Sequence, residues 1–241
     1  MTRMFSFITE TWNPLAGECP HKCVYCWARR LSKRLDMKKY QGDFRLIEKE
    51  LRRQFKSGEF VFVCDMIDLF ASDVPIKHVK RILEHIGKFP ETTFLLQTKN
   101  PRGYYPFLAF NDIPENAILG VTVESNRSWF DTPSKIKDYS DISIAPQPII
   151  RLAFLKRIRD TFPHRRIFLS VEPILDFNLE TFVTTIKIIK PWGVAIGYDN
   201  YGCKLPEPPL EKTLKLISKL EDIGIKVYRK TLRKAWYEKE A

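Results

Sequence analysis

The chain has 241 residues, 44% hydrophobic and 13% aromatic, with 40 Lys and Arg against 29 Asp and Glu for a net charge of +11. That is enough apolar material for one large α/β domain with a real core, and it excludes a disordered chain. No apolar run approaches bilayer-spanning length, and residues 1–7 lack a signal peptide's apolar core and cleavage site, so a cytoplasmic location and no membrane partner are expected.

Residues 5–9 alternate apolar and polar positions and predict a first short strand. A turn at Thr11-Trp12-Asn13-Pro14-Leu15-Ala16-Gly17 leads into Cys19-Pro20-His21-Lys22-Cys23-Val24-Tyr25-Cys26. Three of the five cysteines thus fall in eight residues, spaced C-x3-C-x2-C. An odd, clustered set is poor material for disulfides, and in a reducing compartment it holds metal. Two readings are open. Structural zinc wants four ligands in a closed tetrahedron, here needing His21 or a distant cysteine. A cubane iron–sulfur cluster held by three thiolates leaves one iron open. His21 itself reads as a solvated loop residue.

A helix is expected to start near Trp27. Between positions 29 and 56, Arg29, Arg30, Lys33, Arg34, Lys38, Lys39, Arg45, Lys49, Arg52, Arg53 and Lys56 face only Asp36, Asp43, Glu48 and Glu50. Phe44, Ile47, Leu51 and Phe55 predict a helix over 43–55. Buried strands are predicted at 60–64, 93–97, 117–123, 166–171, 193–197 and 225–228. Helices are predicted at 76–86, 104–110, 149–161, 179–190 and 210–223. The long polar connection 125–148 is expected to hold a short helix at 135–139. Basic residues of the tail 229–241 stand beside Trp236 and Tyr237. Basic and aromatic residues interleaved in this way suit a nucleic acid, DNA or RNA, although solvated helices look the same in one sequence.

This alternation predicts one parallel βα array, for which barrels and doubly wound sheets both qualify. Chemistry in such arrays gathers at the carboxyl ends of the strands. Those ends carry the three cysteines, then Asp65 and Asp68, then Gln97, Thr98 and Lys99. Glu124, then Ser170 and Glu172, then Tyr198, Asp199 and Tyr201 complete the series. Cys64 reads as a small apolar strand residue, and Arg151 as a surface residue at a helix start.

Cys19-x3-Cys23-x2-Cys26, with Tyr25 before the last cysteine, resembles the radical S-adenosylmethionine (SAM) superfamily. Trp12-Asn13-Pro14, Cys64-Asp65-Met66-Ile67-Asp68-Leu69-Phe70, Leu95-Leu96-Gln97-Thr98-Lys99, Leu119-Gly120-Val121-Thr122-Val123-Glu124, Ser170-Val171-Glu172-Pro173 and Val227-Tyr228-Arg229-Lys230 are similar to segments of the phage Gp37/Gp68-like (DUF5131-type) family within it. The resemblance implies an α/β fold, a parallel (β/α) partial or near-complete TIM-like barrel. It implies one domain over 1–241, with a cluster loop at 17–27. It also implies a [4Fe-4S] cluster on Cys19, Cys23 and Cys26, SAM on the open iron, an electron donor, and reductive cleavage to a 5′-deoxyadenosyl radical.

Tyr25, Asp65, Asp68, Thr98, Lys99, Glu124 and Glu172 are the candidate SAM contacts. The superfamily often places Gly-Gly-Glu after the second strand to hold the SAM amino group. Cys64-Asp65-Met66 stands there instead, so Asp65 or Asp68 is expected to be the acceptor. Cys203, Tyr198 and Tyr201 are candidates for hydrogen-atom donation to a substrate radical. The alternative is a non-catalytic nucleic-acid-binding protein with a structural zinc or iron–sulfur site.

Overall fold

The computed structural model of the chain describes residues 4–239; positions 1–3 and the last two of the basic tail lie outside the described residues. In chain order come β1 (Glu10–Trp12), β2 (Leu15–Ala16), α1 (Trp27–Arg34), β3 (Arg45–Leu46), β4 (Phe60–Val63), α2 (Ile76–Gly87), β5 (Thr93–Thr98) and α3 (Tyr105–Ala109). Then follow β6 (Ala117–Thr122), α4 (Pro148–Thr161), β7 (Ile167–Val171), α5 (Leu179–Ile189), β8 (Gly193–Ile196), α6 (Leu210–Asp222) and β9 (Val227–Arg229). Seven strands form one parallel sheet in the order β1-β4-β5-β6-β7-β8-β9, and β2 pairs antiparallel with β3. A doubly wound sheet reverses its strand order at a switch point; this one never does. The fold is therefore a partial TIM-like (β/α) barrel.

The strands behave as their composition requires. All of β6, β7 and β8 is buried, as continuous apolar runs in a parallel sheet must be. The helices between them turn one stripe inward: Val79, Ile82, Leu83 and Ile86 on α2, and Leu216, Ile217 and Leu220 on α6. By contacts the chain divides into two compact units. One comprises the residues up to Lys22 with Cys26–Gly120; the other comprises Cys23–Tyr25 with the residues from Val121 onward. The first is centred on an aromatic cluster in which Trp12 and Phe94 meet Phe55 edge-on at 5.3 and 5.2 Å. A core of Phe130, Tyr139, Ile142, Leu175 and Leu205 lies in the second.

Three predicted elements differ. Residues 5–9 are no strand: Ile8 N donates to Phe5 O in a turn, Phe5 stacks on Phe7 at 5.5 Å, and pairing starts at Glu10↔Val61. The span 43–55 is no α-helix. Leu15↔Leu46 and Ala16↔Arg45 pair as strands, and only a 3-10 turn at Glu50–Arg52 follows. Gly17 (φ +124°) holds that arrangement, because a Cβ there would lie 2.9 Å from Asp43 O. Near 135–139 the chain instead forms an antiparallel bridge, Trp129↔Asp138, and a 3-10 turn at Tyr139–Asp141.

Candidate functional site

The cysteine loop lies between β2 and α1. Its burial alternates: His21 and Cys23 are buried while Lys22 and Val24 are exposed. Lys22 takes the left-handed backbone (φ +49°) that turns its neighbours inward. None of the three cysteines forms a disulfide, and Cys19 and Cys26 are half-buried. Cys26 caps α1: its sulfur accepts from Arg29 N at 3.4 Å. Among the described residues no three His, Cys, Asp or Glu side chains are gathered into a metal-binding group. As a donor set, three cysteines of one loop, none in a disulfide, fit an iron–sulfur cluster with one open iron.

His21 is not solvated. Its Nε2 lies 2.7 Å from Asp68 Oδ2, with both side chains buried. Asp68 also accepts from Lys99 N and Thr98 Oγ1, each at 2.7 Å, and from Phe70 N at 3.0 Å. Burial pushes this carboxyl up, but the His21 charge and these hydrogen bonds outweigh it and hold the group below its ordinary value. Asp68 and Thr98 thus anchor the loop within the first unit. Asp65 is placed differently. It is half-buried, accepts from Asn13 Nδ2 at 2.6 Å, and burial raises its carboxyl. Cys64 before it is buried and has φ +56°, a conformation glycine adopts without cost.

In the second unit Tyr25 points its phenol at Glu124 Oε1. Tyr139 OH donates to the same oxygen at 3.0 Å, and Arg151 Nη1 donates to Glu124 Oε2 at 2.6 Å. Arg151 is fully buried rather than on the surface, and its guanidinium also reaches Tyr139 OH, Pro146 O (2.6 Å) and Thr122 O (2.9 Å). Burial opposes the guanidinium charge, and Glu124 outweighs it. Burial, reinforced by Glu124, pushes both phenols far above their ordinary value, so they stay protonated donors. Two further bonds hold the same stretch: Cys23 Sγ to Ser143 Oγ at 3.1 Å, and Val24 N to Ile142 O at 3.0 Å.

Of the hydrogen-atom candidates, Cys203 is half-buried and packs with Tyr25 against the Phe130–Leu205 core, its sulfur 3.8 Å from Val24 O. Tyr201 is exposed. Tyr198 is fully buried, with its hydroxyl on Pro208 O and Thr213 Oγ1. Glu172 is half-buried and raised by burial, with Lys230 Nζ at 3.8 Å as its ion-pair partner. The residues that sequence reasoning missed are His21, Tyr139, Ser143 and Arg151. Only Arg151 carries a local signal, since it shares a helix face with Leu155 and Ile158.

A model of the family described as "Protein of unknown function (DUF5131)" matches residues 3–144. No curated protein matches the chain by sequence. Among solved structures, a spore photoproduct lyase variant with bound AdoMet and dinucleoside spore photoproduct is 11% identical with a TM-score of 0.59, covering 91% of this chain and 75% of that one. Another variant of that lyase gives 11%, 0.60, 95% and 79%. Streptococcus suis SuiB bound to S-adenosylmethionine gives 11% and 0.53 over 93% of this chain, which spans only 48% of SuiB. These likenesses bear on the fold.

Proposed function

The chain belongs to the DUF5131 family, and we propose that it is a radical SAM enzyme. The observation that carries this reading is the set of three cysteines, none in a disulfide, in the first crossover of a parallel (β/α) array. Two solved proteins with a similar fold were captured with SAM. Cys19, Cys23 and Cys26 would hold a [4Fe-4S] cluster, which when bound supplies the electron that cleaves SAM to a 5′-deoxyadenosyl radical. An external electron donor is required.

The protein's own groups divide into two sets. Asp68, engaged by four donors, fixes the loop through His21. Asp65 is the carboxylate at the end of β4 for the SAM amino group, and Glu172 is the candidate for its ribose. Tyr25 presents its ring from within the loop. Anaerobic reconstitution with iron and sulfide tests the reading. It predicts a brown protein, a reduced-cluster signal that shifts on adding SAM, and release of 5′-deoxyadenosine. Loss of the cluster in each of Cys19→Ala, Cys23→Ala and Cys26→Ala is expected. Stoichiometric zinc without iron uptake would refute it in favour of a non-catalytic, zinc-structured protein.

For the substrate we propose a nucleic acid. Arg30, Lys33 and Arg34 are exposed on α1 opposite buried Ala28 and Ser32, no acidic residue stands on that helix, and Lys22 is exposed in the loop. A spore photoproduct lyase structure holds a dinucleoside spore photoproduct. Four such phosphate contacts on a single strand give a salt slope of about −3 in log K against log salt. Salt-independent binding, or none at low salt, counts against this substrate.

A further inference from the structure

We propose that Glu124 and Arg151 are positioning residues for the cysteine loop, acting through the Tyr25 phenol; the proposal rests on the loop being the cluster site. A buried ion pair is weak evidence of a stabilising device, since apolar replacements of similar volume often do as well. What this pair supplies is a fixed point. Arg151 is held from two further sides by Pro146 O and Thr122 O, and it clamps Glu124 Oε2 at 2.6 Å. Tyr139 bridges the two, donating to Glu124 Oε1 at 3.0 Å while accepting from Arg151. The carboxylate therefore has little freedom, and its Oε1 also receives the Tyr25 hydroxyl.

Tyr25 follows Cys23 by two residues and precedes Cys26 directly. Its side chain has only two rotatable angles, so fixing the hydroxyl fixes the backbone between the two cysteines to within a narrow range. The Cys23–Ser143 bond at 3.1 Å and the Val24 N–Ile142 O bond at 3.0 Å act on the same stretch in the same direction. A ligand loop held before its metal arrives loses less conformational freedom on binding, which is what preorganisation of a site requires.

The test is read on the reduced, metal-free full-length protein, by following iodoacetamide alkylation of each cysteine with mass spectrometry. Tyr25→Phe keeps the ring and removes only the hydroxyl. It is expected to raise the alkylation rates of Cys23 and Cys26 about tenfold and to slow iron uptake on reconstitution. Cys64, buried in the first unit, serves as the control for global unfolding. Tyr139→Phe removes a hydroxyl from the same network outside the loop. It should lower the melting temperature yet leave the loop cysteines within about twofold of wild type. Glu124→Gln keeps an oxygen acceptor while leaving Arg151 unpaired, and should fall between wild type and Tyr25→Phe. Unchanged Cys23 and Cys26 rates in Tyr25→Phe overturn the proposal. So does a parallel rise at Cys64, which would mark the network as core packing only. A wild-type chain that takes up no iron would sink the cluster reading while leaving these rates interpretable.

Discussion

Asp68→Asn separates an anchoring carboxylate from one that waits for a ligand. Asp68 Oδ1 accepts from Thr98 Oγ1 and Phe70 N, and Oδ2 accepts from His21 Nε2 and Lys99 N, at 2.7–3.0 Å in a buried setting. An asparagine retains one of these oxygens. If its amide nitrogen faces Thr98, the hydroxyl can turn to accept but Phe70 N–H is left opposite a donor. If it faces His21, the imidazole can offer its other tautomer but Lys99 N–H is orphaned. Either way one buried backbone donor is unsatisfied, at about 1–3 kcal/mol, and a charge-assisted hydrogen bond is lost, at about 1.5–3 kcal/mol. The variant should therefore be less stable by about 3–5 kcal/mol, measured by urea unfolding of the reduced apo protein followed by near-UV circular dichroism. The pH dependence has a definite sign. A carboxyl held below its ordinary value of 3.8 contributes its full stabilisation above that value. The contribution disappears as pH falls through the depressed folded-state value, so wild type and variant should converge in acid. His21, released from its partner, should also leave Cys19 and Cys23 more reactive. A loss below about 1 kcal/mol at pH 7 would refute the anchoring role.

Arg151→Met leaves the Glu124 carboxylate buried without its counter-charge and should cost about 3–5 kcal/mol. Adding Glu124→Gln should recover about 2 kcal/mol of that, and strictly additive losses in a double-mutant cycle would contradict the pairing. Glu172→Gln addresses a carboxyl raised by burial above 4.5. Such a group favours folding below its unfolded value, and that contribution is lost as pH rises through the raised folded value. The glutamine variant should therefore gain stability at pH 7, with a flatter stability–pH curve; a loss at pH 7 would reverse the reading. Cys203→Ala should cost about 1 kcal/mol of packing, and if Cys203 quenches a substrate radical it should also change product distribution. Unchanged products would remove that role.

The central strands were legible because their residues have one way to be satisfied. Phe60 to Val63, Thr93 to Thr98 and Ile167 to Val171 are short apolar runs that only a two-sided sheet buries. The 43–55 stretch misled for an equally physical reason. Phe44, Ile47, Leu51 and Phe55 do fall at helical spacing, but Phe44 packs on Gly17, and Leu46 pairs with Leu15. Phe55 joins the aromatic cluster of Trp12 and Phe94. Arg45 then fastens the segment by donating to the carbonyls of Lys38, Lys39, Gln41 and Asp43 at 3.2–3.3 Å. Tertiary contacts thus overrode a local period. The anchors of the cysteine loop were invisible because each partner is remote: Asp68 is 47 positions from His21, and Glu124 is 99 from Tyr25.

That remoteness changes how the acidic residues at the strand ends divide. Asp68 and Glu124 are buried and engaged by protein donors, one by His21, the Thr98 hydroxyl and two backbone N–H groups, the other by Arg151 and two phenols. An incoming ammonium would have to displace bonds that hold the loop itself. Asp65 and Glu172 are the opposite case. Each is half-buried, each is raised by burial, and each has one close side-chain partner, Asn13 and Lys230 respectively. A carboxyl penalised by desolvation and weakly compensated gains most from a cationic or hydroxylated ligand, because that ligand supplies the compensation the protein withholds. Strand position alone made these four residues equivalent. Their hydrogen-bond partners separate them: Asp68 and Glu124 are each saturated by donors of their own unit, while Asp65 and Glu172 keep the weaker compensation.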